Sequence, residues 1–108
     1  MNSALPTGVT ETQIQTWKEK HGKIKLLTCK SGEKEISFII GQPTRDIVDA
    51  WTHHYDNDNR VKAREVLENS CVLHGDKSLF LKDINLQNTV LKKVQEMLKD
   101  LQTEEKEL

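Results

Sequence analysis

A cysteine, a histidine and an aspartate lie close together in the middle of the chain, as Cys71, His74 and Asp76. These are residue types of a thiol active site, in which a base activates a cysteine nucleophile. Known sites of this kind gather their partners from distant segments, whereas these three residues are near neighbours in sequence. We therefore interpret them as a buried thiol followed by a capping turn, and we expect no catalytic residues. The sequence also contains no G-x-S-x-G, P-loop or G-x-G-x-x-G motif.

Two further groups of side chains have the residue types of a metal site, but their spacing argues against one. His53 and His54 are adjacent, so on a helix they point about 100° apart. Zinc sites use three or four protein ligands, more than either histidine can gather nearby. Residues 56–59 read Asp-Asn-Asp-Asn, yet a calcium loop starting there needs glycine and glutamate where the chain has Val61 and Leu67. We expect a helix break with capping side chains, and no metal or cofactor.

Composition restricts the expected partners and compartment. The 108 residues include 16 basic and 17 acidic side chains, which gives a net charge of -1. Proteins that neutralise many phosphates carry a basic excess, so we expect no nucleic-acid partner. No apolar run reaches the ~20 residues of a membrane helix, and residues 1–6 lack the regions of a secretory signal. We therefore expect a cytoplasmic protein with no membrane partner, in which Cys29 and Cys71 stay reduced.

Local signals predict one α+β domain over residues 10–102, between a flexible arm at 1–9 and a frayed acidic tail at 103–108. Thr10 and Gln13 are spaced as a capping box, which starts a helix that Gly22 ends. Strand-forming residues then fill 23–30 and 35–40, on either side of a turn. This pattern predicts a β-hairpin, whose apolar face helices must cover because an isolated hairpin is marginally stable.

Three helices are predicted after the hairpin. Thr44 caps the first, residues 56–59 separate it from the second, and Asp83 caps the last and longest. Residues 78–81, with the sequence Ser-Leu-Phe-Leu, are interpreted either as a short third strand or as an apolar loop packed on the hairpin.

The long last helix, expected to reach about Gln102, has an unusually wide apolar arc of roughly 160°, where a surface helix needs only about 100°. The arc contains Ile84, Leu86, Val90, Leu91, Val94, Met97, Leu98 and Leu101, with Gln87 as its polar member. Two explanations stay open: a helix deep in its own core, which the few apolar residues elsewhere favour, or a surface that also meets a partner or a second copy. The candidate partner-binding residues are Leu91, Val94, Leu98 and Leu101.

Aromatic and basic side chains on the other helices also suit a binding surface. Trp17, Trp51 and Tyr55 could anchor a partner, but they occupy the main apolar stripes of their helices, so we predict core packing. Basic residues cluster at the start of the third helix and are expected to be solvated. They are Arg60, Lys62 and Arg64.

Four stretches together resemble a known family. They are the helix and strand start between Gln13 and Ile24, residues 42–45 after the hairpin, residues 67–76, and a final helix with repeated leucines. In this order and spacing they resemble the small tail assembly chaperone-like proteins of long-tailed bacteriophages and prophages, particularly those of Bacteroides-type hosts. Val72 and Lys77 depart from the pattern, since similar proteins tend to have an aromatic residue and an acidic run at these places.

The resemblance implies a non-enzymatic helper in the cytoplasm of the infected host. Such proteins keep the tape-measure protein soluble and bring tail-tube subunits to it, often alongside a longer frameshifted form. They cover apolar helical surface reversibly and use no cofactor or small-molecule substrate. The alternative is a structural or accessory virion protein, such as a tail completion or connector protein.

Overall fold

The computed structural model describes residues 6, 8–97 and 106–108. The order of its elements is helix, two strands, two helices, a short strand and two helices, so the predicted α+β fold is confirmed. They are α1 (Glu11–His21), β1 (Ile24–Ser31), β2 (Lys34–Gly41), α2 (Arg45–Asp56), α3 (Arg60–Cys71), β3 (Val72–His74), α4 (Lys77–Lys82) and α5 (Ile84–Met97). Most of the predicted arm and tail lies outside the described residues.

The ends of α1 follow the predicted signals. Thr10 Oγ1 accepts a hydrogen bond from the Gln13 backbone N–H at 3.2 Å, and Gln13 Oε1 accepts one from the Thr10 N–H at 3.0 Å. This reciprocal pair satisfies two N–H groups at the helix start. Gly22 ends the helix with a φ of 82°, and its N–H donates to the Lys18 carbonyl at 2.8 Å. The capping box and the glycine stop are therefore confirmed.

The sheet has three antiparallel strands in the order β1-β2-β3. The hairpin register runs from Ile24 opposite Gly41 to Ser31 opposite Lys34, which confirms the hairpin. The third strand is β3, which pairs with Ile39 and Ile40 through an irregular register. β1 is consequently an edge strand of this sheet.

The prediction for residues 78–81 is wrong, since they lie in α4 and form neither a strand nor a loop. The reason is a cap: Asp76 Oδ1 accepts from the Leu79 N–H at 3.0 Å and starts a helical turn. That turn buries Phe80, whose ring centroid lies 5.8 Å from that of Phe38.

Helices cover both faces of the sheet. Ile36, Phe38 and Ile40 point to the inner face, where they join the main core with apolar residues of α2 to α5. The Ile39 side chain points to the outer face, and a side chain at the position of Gly41 would do the same. A Cβ on Gly41 would lie 2.6 Å from the His21 ring, so α1 rests on that face.

Apart from Ile84, which is 53% exposed, the apolar arc of α5 lies in the chain's own core as far as the helix is described. Asp83 Oδ1 accepts from the N–H groups of Asn85 and Leu86, which confirms the predicted cap. Buried side chains then follow at helical spacing. They are Leu86, Gln87, Val90, Leu91, Val94 and Met97. Gln87 keeps its amide satisfied by donating to the Leu81 carbonyl at 3.3 Å.

Candidate functional site

The thiol group at the end of α3 is shielded from solvent. Cys71 is fully buried, and burial raises its pKa to about 12, although the charge of Lys20 acts in the opposite direction. The thiolate is the reactive form of cysteine, so this thiol is protonated and unreactive near neutral pH. The Asp76 carboxylate caps α4, and no hydrogen bond joins Cys71, His74 and Asp76 within the described residues. Cys71 and the half-buried Cys29 are both unpaired thiols.

Residues 57–59 form the predicted break between α2 and α3, and Asp56 is the last residue of α2. Asn57 Nδ2 donates to the His53 carbonyl at 2.7 Å, and Asn59 Oδ1 accepts from the Lys62 N–H at 3.2 Å. His53 and His54 meet edge to face with their ring centroids 5.4 Å apart. Across the described ranges, no three histidine, cysteine or acidic side chains come together as a metal site would require.

A surface groove of about 250 Å³ lies between three helices and is the candidate functional site. Its walls come from α2, α3 and α5, and its apolar base includes Leu67 and Leu91. We name it the α2–α3–α5 groove and define it by Trp51, Tyr55, Arg60, Arg64, Leu67, Leu91 and Lys92. The sequence indicates its aromatic residues and the basic residues of α3 separately, and only the fold brings them together.

Two aromatic rings form one wall of this groove. Trp51 and Tyr55 lie one helical turn apart and stack with centroids 5.1 Å apart and planes 27° apart. The Arg60 guanidinium carbon lies 5.6 Å from the Tyr55 ring centroid, within cation–π range. Trp51 packs partly on the core, as predicted, but Tyr55 remains 47% exposed. A large amphipathic ring therefore lies at the surface in contact with Trp51 and Arg60.

Basic side chains form the rest of the rim. Arg60 and Arg64 come from α3 and Lys92 from α5. Within the described part of the chain, no ion pair within 4.0 Å is found for any of these three cations. Arg64 does act on Glu68 at longer range: burial raises the pKa of Glu68, the Arg64 charge lowers it and the Glu65 charge raises it.

The predicted partner-binding residues fall into two groups. Val94 is fully buried, and Leu91 is buried but reaches the base of the groove. Leu98 and Leu101 lie outside the described residues. Of the described candidates, therefore, Leu91 lines the groove and Val94 lies entirely in the core.

Comparisons of the chain with protein families, with characterised proteins and with solved structures gave no match. The resemblance to tail assembly chaperones therefore stays a prediction. Among the described helices, none combines the length and apolar character needed to cross a membrane.

Proposed function

We propose that this chain is a non-enzymatic adaptor that binds another protein through the α2–α3–α5 groove. The observation that supports this role most directly is the half-exposed Tyr55 ring, stacked on Trp51 and flanked by Arg60. Tryptophan, tyrosine and arginine are the residues most enriched at interface hot spots. Rings that are already fixed lose little conformational entropy when a partner covers them, so the bound state is favoured.

We further propose that the partner is a phage tail component, either the tape-measure protein or the tail-tube protein, and that binding takes place in the host cytoplasm. This finer proposal depends on the resemblance of the four stretches described above. In mechanism, a helix of the partner would place apolar side chains in the groove, in the manner of other helix-in-groove complexes. The partner would be released during assembly, with no covalent step.

Co-expression tests this proposal. The tagged full chain should co-purify with the tape-measure or tail-tube protein encoded in the same genome. Tyr55→Ala should reduce the recovered partner, since Tyr55 lies in the groove, whereas Leu81→Ala should not, since Leu81 is an exposed apolar residue on α4. Circular dichroism establishes that each variant is folded.

Each other outcome contradicts part of the proposal. Failure to recover either tail protein would refute the tail-chaperone role. A complex that is unaffected by Tyr55→Ala would refute the groove as the binding site. Mass spectrometry of purified particles adds a further test, because a fixed copy number in the virion would favour a structural tail component.

A further inference from the structure

We propose that the α2–α3–α5 groove binds an acidic peptide segment, which inserts an apolar side chain onto the groove base between flanking carboxylates. This inference deepens the adaptor function proposed above and rests on it. It assigns the chemical class of the bound segment, which the adaptor role by itself leaves open.

The charge of the groove differs in sign from that of the whole chain. Arg60, Arg64 and Lys92 all line the groove, and none of the described residues that line it has a carboxylate. The chain as a whole has a net charge of -1. Positively charged side chains that line a low-dielectric cleft raise the local concentration of an anionic ligand and speed its binding. The favoured ligand is therefore an acidic one.

Acidic residues near the groove leave these cations available. Glu96 pairs with Lys93 at 3.2 Å, on the α5 surface outside the groove lining. Glu68 senses the Arg64 charge, yet no carboxylate oxygen of the described residues lies within 4.0 Å of the Arg64 side chain. A carboxylate from a partner can thus approach Arg64 without displacing an existing close pair. Bidentate arginine–carboxylate hydrogen bonds are among the stronger polar contacts.

The base of the groove selects for an apolar side chain between those carboxylates. Leu67 and Leu91 form part of the base, and the Trp51–Tyr55 stack forms one wall. The volume of about 250 Å³ is slightly below the ~300–1,000 Å³ typical of small-molecule pockets. It therefore suits one or two side chains of a peptide better than a cofactor.

A nucleic acid would bind in the groove less well than an acidic peptide. Three cations neutralise few phosphates, and nucleic-acid binding by so few contacts is weak at physiological salt. Two amide side chains on α5, Asn88 and Gln95, also line the groove. Amides both donate and accept hydrogen bonds, so they can satisfy the polar groups of a peptide.

Labelled peptides of about 15 residues, long enough to form a marginal helix, test the proposal with the full chain. The probe has leucines at helical spacing flanked by glutamates, and its matched partner has glutamine in place of each glutamate. We expect the glutamate peptide to bind about tenfold more tightly by fluorescence anisotropy, and this advantage to shrink with added salt. Arg64→Glu should remove the advantage, whereas Lys77→Glu, which changes an exposed cation on α4, should preserve it.

Nuclear magnetic resonance locates the bound peptide independently. The indole N–H signal of Trp51 should shift on titration, while that of Trp17 should not, because α1 lies on the opposite face of the sheet. Equal binding of the two peptides at Trp51 would overturn the acidic preference but leave the adaptor function intact. Absence of binding by both peptides, or tighter binding of a single-stranded oligonucleotide, would overturn the inference. The co-expression experiment then decides separately whether the adaptor function fails too.

Discussion

Replacing Gly75 with alanine should destabilise the domain more than any other single methyl addition at a glycine turn. Gly75 follows β3 with a φ of 151°, a region that side chains other than hydrogen rarely adopt. A Cβ at this position would also overlap the ring of Phe38, which is fully buried in the centre of the core. Two separate penalties therefore act at one residue.

The size of the effect follows from these two penalties. An unfavourable backbone conformation costs about 1–3 kcal/mol, and an extra group in a packed core costs about 1–3 kcal/mol more. Gly75→Ala should therefore lower the free energy of unfolding by about 2–6 kcal/mol. For a domain of this length, each kcal/mol lowers the melting temperature by about 4 °C, so we expect a decrease of at least about 8 °C.

Gly32→Ala provides the matched control. Gly32 has a φ of 65° at the hairpin turn, but a Cβ there would have no neighbour within 4 Å. Only the backbone penalty remains, and it should cost about 1–2 kcal/mol. Urea titrations of both variants by circular dichroism compare the two values directly.

A double-mutant cycle identifies the cause. Phe38→Leu removes the ring that the new methyl would meet, so Gly75→Ala should be less destabilising in that background. Overlap with Phe38 is excluded as the cause if Gly75→Ala costs no more than Gly32→Ala, or if its cost is unchanged by Phe38→Leu.

Three other predictions concern stability and thiol chemistry. Thr10→Ala removes one side of the capping box and should lower the free energy of unfolding by about 1 kcal/mol, measured by urea titration; an unchanged value would show that α1 needs no cap. Cys71 should resist a maleimide near neutral pH until the chain is unfolded, as followed by mass spectrometry; rapid labelling of the native protein would contradict its burial. Burial raises the pKa of Cys71 from 9.0 to about 12, so between these pH values the folded chain keeps a proton that the unfolded chain loses. The contribution of the Cys71 thiol to the free energy of unfolding is therefore complete below pH 9.0 and declines as pH rises toward 12. Cys71→Ala should flatten this part of the stability–pH curve, and an unchanged slope would exclude the thiol as its cause.

Elements with local signals were predictable from the sequence. The Thr10 capping box, the Gly22 stop and the Asp83 cap each depend on a few neighbouring residues, so their side-chain chemistry is visible in the sequence itself. The hairpin was predictable for the same reason, because both strands and their turn are contiguous.

Elements that depend on contacts between distant residues were not predictable from the sequence. β3 has only three residues, and its strand character comes from pairing with Ile39 and Ile40, far away in sequence. Residues 78–81 are a different case: they are too few for periodicity to separate strand from helix, although the Asp76 cap that starts α4 is itself a local signal. The candidate groove was not predictable either, because Lys92 comes near Arg60 and Arg64 only after α5 has packed against α3.

Lys25 on the edge strand β1 affects how copies of the protein associate at high concentration. Lys25 lies opposite Ile40 in the hairpin register, on the side of the sheet that also contains Leu27. An apolar strand that extends the sheet at this edge would have to lie beside the charged side chain of Lys25, and a lysine on an edge strand disfavours such pairing. Fibrous stacking of molecules through β1 is thereby discouraged, even when many copies are synthesised at once.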